Sequence, residues 1–382
     1  VKKIFLDYNS TTPVFKEVLD EMLPCFSEIW GNPSSSHCFG RQAKTAIDTA
    51  RIRVAEMIKA NPEEIVFTSG GTEANNLALK CLLAKNASNE KNHVITTQIE
   101  HSSIYNAFEH LEKDGFEVSW LPTDKNGVVS VSDFQSAITE RTLLASIMLA
   151  NNVTGALQPV REIARIASAK SIFIHTDAVQ AAGKMPLSVN ELGVDLLTLS
   201  AHKIYGPKGA GALYVRRGLK TSADSYGGDQ EGKLRAGTEN VPGIVGFGKA
   251  CEMAQKNLDI NILKMESLRD RLETGILSAI PFAKINALGS KRVPNTSSIS
   301  FPGVENEMLA VRLDLNGIAV SIGSACNAGK AGSSRVLKAM SLPLEELHGS
   351  LRFSVGLGNI NEDIDQAIET LKNIVLTRRQ KS

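Results

Sequence analysis

The strongest constraint on the fold is a rhythm. Between residues 64 and 215, short apolar, β-prone runs recur, each closed by polar residues and most followed by helical spacing. The runs are 64–68, 94–97, 116–121, 143–149, 171–175, 194–199 and 211–215. Runs this short and this uniformly apolar read as strands buried on both faces. Their alternation with helices predicts an α/β fold, with a mostly parallel seven-stranded sheet flanked by helices. The chain has 382 residues, room for one large domain and a smaller one. The large domain is expected over 14–258. Residues 1–13 and 259–382 are assigned to a smaller α+β domain, with strands at 297–301, 318–321 and 351–355 and helices at 306–315 and 363–376. A single long helix, Val241 to about Ala279, is expected to connect the two.

Polar residues just past the strand ends mark where open α/β sheets place ligand chemistry. Four strands deliver such residues to one edge: His101, Asn152, Asp177 with Gln180, and Ser200 and His202 with Lys203. Singly, each has a plain structural reading. Asn152 can cap a turn, Asp177 a helix, and His101 can pack in a core. As a set at successive strand ends they indicate a site. A Lys held beside His and Ser can be desolvated enough to act as an amine nucleophile. The run Ser69-Gly70-Gly71-Thr72-Glu73 joins a strand to a helix start, an arrangement that offers free backbone N–H groups to an anion such as phosphate. It matches neither a Walker loop nor the dinucleotide fingerprint.

A formal net charge of +1 gives no support to a role on nucleic acid or on a membrane surface. No apolar run approaches membrane-spanning length. The first residues turn polar too early for a signal-peptide core, so a cytoplasmic location is expected. The five cysteines, Cys25, Cys38, Cys81, Cys251 and Cys326, are widely spaced, which disfavours a disulfide framework or a structural zinc site, and no metal is expected. Cys326 differs from the rest. It sits in a Gly-, Ser- and Ala-rich stretch, about 321–334, that predicts a mobile loop and an exposed, reactive thiol. Arg352, on a predicted strand, suits bidentate binding of a carboxylate or a surface salt bridge.

One cofactor draws these features together. Pyridoxal phosphate needs a Lys for its Schiff base, an acid opposite its pyridine nitrogen and a phosphate cradle. Lys203, Asp177 and the Gly70-Gly71-Thr72 turn supply the three. The stretches Ser200-Ala-His-Lys-Ile-Tyr-Gly-Pro-Lys-Gly, Gly70-Gly-Thr-Glu-Ala-Asn-Asn, Gly31-Asn-Pro-Ser-Ser, Glu100-His101 and Gly323-Ser-Ala-Cys326 resemble the NifS/IscS-type cysteine desulfurases from residue 4 to about 376.

That resemblance implies an aspartate-aminotransferase-like fold, a homodimer, and a PLP-dependent enzyme that takes sulfur from L-cysteine and leaves L-alanine. Lys203 would carry the cofactor. His101 would stack on its ring, Asp177 would pair with the ring nitrogen and Gln180 would donate to the phenolic oxygen. Gly71, Thr72, Ser200 and His202 would hold the phosphate, with Thr238 reaching in from the partner subunit. Asn152 and Arg352 would bind the substrate carboxylate. Cys326 would take up the sulfur and pass it to an acceptor protein such as an iron–sulfur scaffold. The sequence departs from the family pattern at Val153, at Asp229 and in the residues after Cys326. A selenocysteine lyase, another lyase or aminotransferase on the same scaffold, and an inactive partner-binding scaffold are the rival readings.

Overall fold

The computed structural model describes residues 2–223, 225–323 and 334–379. Its strands, in chain order, are β1 (Ile4–Phe5), β2 (Ile65–Thr68), β3 (His93–Thr97), β4 (Glu117–Leu121), β5 (Thr142–Ser146) and β6 (Phe173–Asp177). They continue with β7 (Leu196–Ser200), β8 (Gly211–Val215), β9 (Lys284–Asn286), β10 (Thr296–Ser300), β11 (Ile318–Ala319) and β12 (Ser350–Ser354). Seven of them form one sheet in the order β2-β8-β7-β6-β5-β3-β4. Strand β8 runs antiparallel to both of its neighbours, and the other pairings are parallel. β2 therefore points the same way as β7, and the C-terminal ends of β2, β3, β5, β6 and β7 share one edge.

The apolar runs earn their strand conformation by burial on both faces. Ile65, Phe67, Ile95, Ala145, Leu197, Ala212 and Tyr214 pack into one core. Val66, Val94, Leu144, Leu196 and Leu213, their neighbours along the strands, pack into another on the opposite face. Side chains alternate across a strand with period two, so a polar residue at any of these positions would face apolar packing. The free edge of β2 is closed by a side chain. Glu231 accepts from the Phe67 N–H at 2.7 Å and forms a two-point ion pair with Arg51 at 2.7 and 2.8 Å. A carboxylate on an open strand edge blocks pairing with another chain.

A further core gathers Ile4 and Leu6 with Leu268, Phe301, Phe353 and Leu371. It covers the three-stranded sheet β12-β10-β9 and the two-stranded pair of β1 with β11, which is parallel in register Ile4 to Ile318. The N-terminal arm is thus pinned to the C-terminal part of the chain before it crosses to the large sheet. The expected single helix over 241–279 is instead two, Val241–Lys256 and Leu258–Ala279. They break at Asn257, whose side chain donates to the Met253 carbonyl at 3.1 Å. Such local side-chain bonding competes with helix continuation. No described helix is long and apolar enough to cross a membrane.

Candidate active site

The shared edge of the large sheet opens into a cavity of about 430 Å³. Gly71, Thr72, Asp177, Gln180, Ser200, His202 and Lys203 line it from the large sheet side. His101 and Asn152 face it from the loops after β3 and β5, and Arg352 reaches it from β12. Ten of the residues singled out in the sequence therefore meet in one space. Thr238 does not. It is exposed and outside this cavity. Cys326 lies outside the described residues.

The anion cradle stands at the start of the helix Gly71–Asn86. Gly70 has φ 152°, a backbone angle that side-chain-bearing residues rarely adopt. A Cβ at Gly71 would come 3.0 Å from Val179 Cγ2, so the close approach of the helix start to the Asp177 loop leaves little room for a side chain there. Ser200 Oγ is buried, with no hydrogen-bond partner among the described residues. Unpaired buried hydroxyls are costly, and one beside free helix-start N–H groups fits an anionic oxygen. His202, in the short 3-10 turn Ala201–Lys203, pairs its Nδ1 with Thr11 Oγ1 at 3.1 Å. Burial, reinforced by the neighbouring charges of Lys203 and Lys208, pushes its imidazole down to about 4, so the ring is neutral at pH 7.

Asp177 ends β6 as a buried carboxylate fixed at both oxygens. Oδ2 accepts from Asn75 Nδ2 at 2.8 Å and Oδ1 from the Val179 N–H at 2.9 Å. Asn75 also donates to Ser103 Oγ at 2.8 Å, and that hydroxyl pairs with His101 Nδ1 at 2.8 Å. His101 caps the helix Ser102–Lys113 by accepting from the Ser103 N–H at 3.2 Å. An Nδ1 that accepts leaves the ring proton on Nε2. The acid and the imidazole are thus coupled through the Asn75 amide and the Ser103 hydroxyl. The sequence placed Asn75 in a motif without giving it a role.

Lys203 Nζ donates to the backbone carbonyls of Asn9 and Ser10, both at 2.6 Å. Asn9 is another residue that sequence reading passed over. It is 2% exposed. Its carbonyl also accepts from Gln180 Nε2 at 3.0 Å, and its Nδ2 donates to the Asn152 carbonyl at 3.2 Å and to Thr296 Oγ1 at 2.8 Å. Arg352, 3% exposed, donates to Asp7 Oδ1 at 2.5 Å and to the Asn152 carbonyl at 3.0 Å. Its Nε is buried without a partner among the described residues. A buried guanidinium with an unused N–H fits a carboxylate ligand.

Glu100 lies beneath His101. It is 1% exposed, and its Oε1 accepts from the Met148 N–H at 2.8 Å and from Thr97 Oγ1 at 2.9 Å. Burial, with Asp177 adding a smaller push, raises its carboxyl to about 8. The folded protein therefore holds it protonated at pH 7, whereas the unfolded chain ionises it near 4.5. The stability this contributes is present below about pH 4.5 and is lost as pH rises toward 8. Glu100→Gln, which keeps the accepting oxygen and cannot ionise, is expected to match the parent at pH 4.5. At pH 8 it is expected to exceed the parent by roughly 4 kcal/mol. Urea unfolding at the two pH values checks this, and equal stabilities at pH 8 would show the carboxyl ionised in the fold.

Comparison with known proteins places the chain in a family. The aminotransferase class-V family matches residues 4–367. The chain belongs to the class-V aminotransferase family. A cysteine desulfurase IscS of Clostridium botulinum is 47% identical to this family member over 383 residues, 100% of this chain and 96% of that protein. A solved NifS-like protein superposes with TM-score 0.92 at 37% identity, over 98% of this chain and 100% of its own. A second solved structure, SspA in complex with cysteine, gives TM-score 0.83 at 35% identity, over 94% of this chain and 100% of its own.

Proposed function

We propose that this chain is a cysteine desulfurase that uses pyridoxal 5′-phosphate to move sulfur from L-cysteine to Cys326. The observation that carries the reading is the meeting of Lys203, the doubly held Asp177 carboxylate and the orphaned Ser200 hydroxyl beside the Gly70-Gly71 turn in one cavity. That donor set fits the cofactor. Lys203 would hold its aldehyde carbon, Asp177 its ring nitrogen, and Thr72, Ser200 and His202 its phosphate, with Gly71 leaving room for the close approach. His101 would face the ring and Gln180 would donate to its phenolic oxygen. When bound, the cofactor supplies an electron sink for a carbanion at the substrate Cα.

The chain's own groups do the rest. Arg352 binds the substrate carboxylate with Asn152 beside it. Lys203 would act as the base that takes the Cα proton and the acid that returns a proton to carbon. The Cys326 thiolate attacks the substrate sulfur. The S–S bond forms as the Cβ–S bond breaks, and Cβ keeps the electron pair and gains a proton, giving alanine. Domains 14–258 and 1–13 with 259–382 bring these groups together. A homodimer supplies Thr238 across the subunit boundary, and a sulfur-acceptor protein such as an iron–sulfur scaffold in the cytoplasm takes the persulfide. Neither nucleic acid nor a membrane takes part. Alanine formed from cysteine only in the presence of pyridoxal phosphate tests this reading, and no alanine from the loaded protein would refute it.

Arg352→Lys is the sharper probe of substrate binding. A lysine keeps a cation opposite Asp7 and loses the two-point geometry. The KM for cysteine is expected to rise about tenfold to a hundredfold, the value of one charge-assisted hydrogen bond. Cofactor content should stay at the parental level. An unchanged KM would remove Arg352 from the carboxylate site.

A further inference from the structure

Lys184 is a buried lysine that the proposed chemistry does not use. It is 5% exposed and is absent from the lining of the reaction cavity. It borders a second cavity of about 180 Å³, which shares Lys203 with the first. Its Nζ lies 2.7 Å from Gln180 Oε1 and 3.2 Å from Asn9 Oδ1.

The partners of these two amides fix which end is which. Gln180 Nε2 faces the Asn9 backbone carbonyl, which can only accept, so the oxygen end must face Lys184. Asn9 Nδ2 faces the Asn152 backbone carbonyl, so Asn9 Oδ1 must also face Lys184. Lys184 therefore donates to two amide oxygens. An ammonium has three N–H groups and a neutral amine two, so the arrangement holds in either state. The charged groups acting on Lys184 are Lys203 and Arg352, and together with burial they hold its amine well below the usual lysine range. Gln180 carries two N–H groups. One goes to Asn9, and the other is left for the reaction cavity that Gln180 lines.

Asn9 Oδ1 also accepts from Asn295 Nδ2 at 3.0 Å, which holds that amide independently of Lys184. We propose that Lys184 is a positioning residue: by donating to Gln180 Oε1 it locks the Gln180 amide, so that Gln180 presents an N–H to the anionic ring oxygen of the cofactor. This builds on the reading of Gln180 as a donor to pyridoxal phosphate. Without Lys184, a buried amide oxygen loses its donor and Gln180 is drawn toward the remaining cations, Lys203 and Arg352. The ring oxygen then loses its donor, its anionic form is less stable, and the titration of the bound cofactor's visible band moves to higher pH.

The test is the pH midpoint of that band in the protein loaded with pyridoxal phosphate, for the parent, Lys184→Met, Gln180→Met and the double variant. Each single variant is expected to raise the midpoint by about one to two pH units, the value of a hydrogen bond to a charged group. The double variant is expected to shift no further than Gln180→Met alone, because Lys184 acts through Gln180. A normal midpoint in Lys184→Met overturns the role, as does a Lys184→Met shift that persists in full on the Gln180→Met background, which would make the effect one of charge alone. If Lys184→Met does not fold, Lys184→Gln, uncharged but still a donor, is expected to keep the parental midpoint, and a shift of about a unit in it overturns the role. A parent that gains no visible band overturns the cofactor reading and this inference with it.

Discussion

Lys203→Ala is expected to abolish turnover of cysteine, a loss of at least about 10⁴-fold, because one amine is asked both to hold the cofactor and to move the Cα proton. The structure explains why no neighbour replaces it. Lys203 Nζ is held between the Asn9 and Ser10 carbonyls at the edge of the cavity, whereas Lys184 is committed to two amide oxygens and lies outside the lining. The variant is still expected to bind pyridoxal phosphate non-covalently, since the glycine cradle, Ser200 and Asp177 are untouched. Its visible band should resemble the free aldehyde rather than the protein-linked form. Borohydride treatment followed by peptide mapping checks the assignment, and cofactor trapped on any other lysine would contradict it.

Cys326→Ser is expected to separate cofactor chemistry from sulfur transfer. A hydroxyl cannot take up sulfur, since the step needs a thiolate nucleophile. The variant should load with cofactor and change its visible spectrum when cysteine is added, because those steps depend on Lys203, Asp177 and His101. Alanine release should fall by about 10³-fold or more. The other cysteines are poor substitutes. Cys25, Cys81 and Cys251 are buried, and burial pushes the Cys251 thiol well above its ordinary range and the Cys25 thiol upward as well. Cys38 is exposed at the start of its helix, so Cys38→Ser serves as the control and is expected to keep full alanine release. Near-parental release from Cys326→Ser would point to a lyase that frees sulfur directly.

Much of this site was legible because parallel strands buried on both faces leave an unbroken apolar trace, and polar residues directly after that trace fall at one edge. Asp177, Ser200, His202 and Lys203 were found that way. The strand-end pattern also gave Gln180, and the family resemblance added its role and that of Thr238, which the pattern of runs could not supply. What escaped was held by contacts between distant segments. Asn9 reads as one polar residue in a terminal arm, and nothing local shows that it joins Lys203, Gln180 and Asn152. Asp7, partner of Arg352, and Lys184 were missed for the same reason. The antiparallel direction of β8 leaves no mark on a five-residue apolar run. The break at Asn257 was hidden because apolar spacing continues on both sides of it.

The central claim is that sulfur leaves cysteine and lands on one residue of this chain. The protein loaded with pyridoxal phosphate should be given L-cysteine for a single turnover, then split for an alanine assay and for the mass of each cysteine-bearing peptide. The account predicts one alanine for each sulfur gained, with the added sulfur on the Cys326 peptide. Alanine formed while that peptide keeps its original mass, or sulfur found on Cys25, Cys38, Cys81 or Cys251 instead, would contradict it.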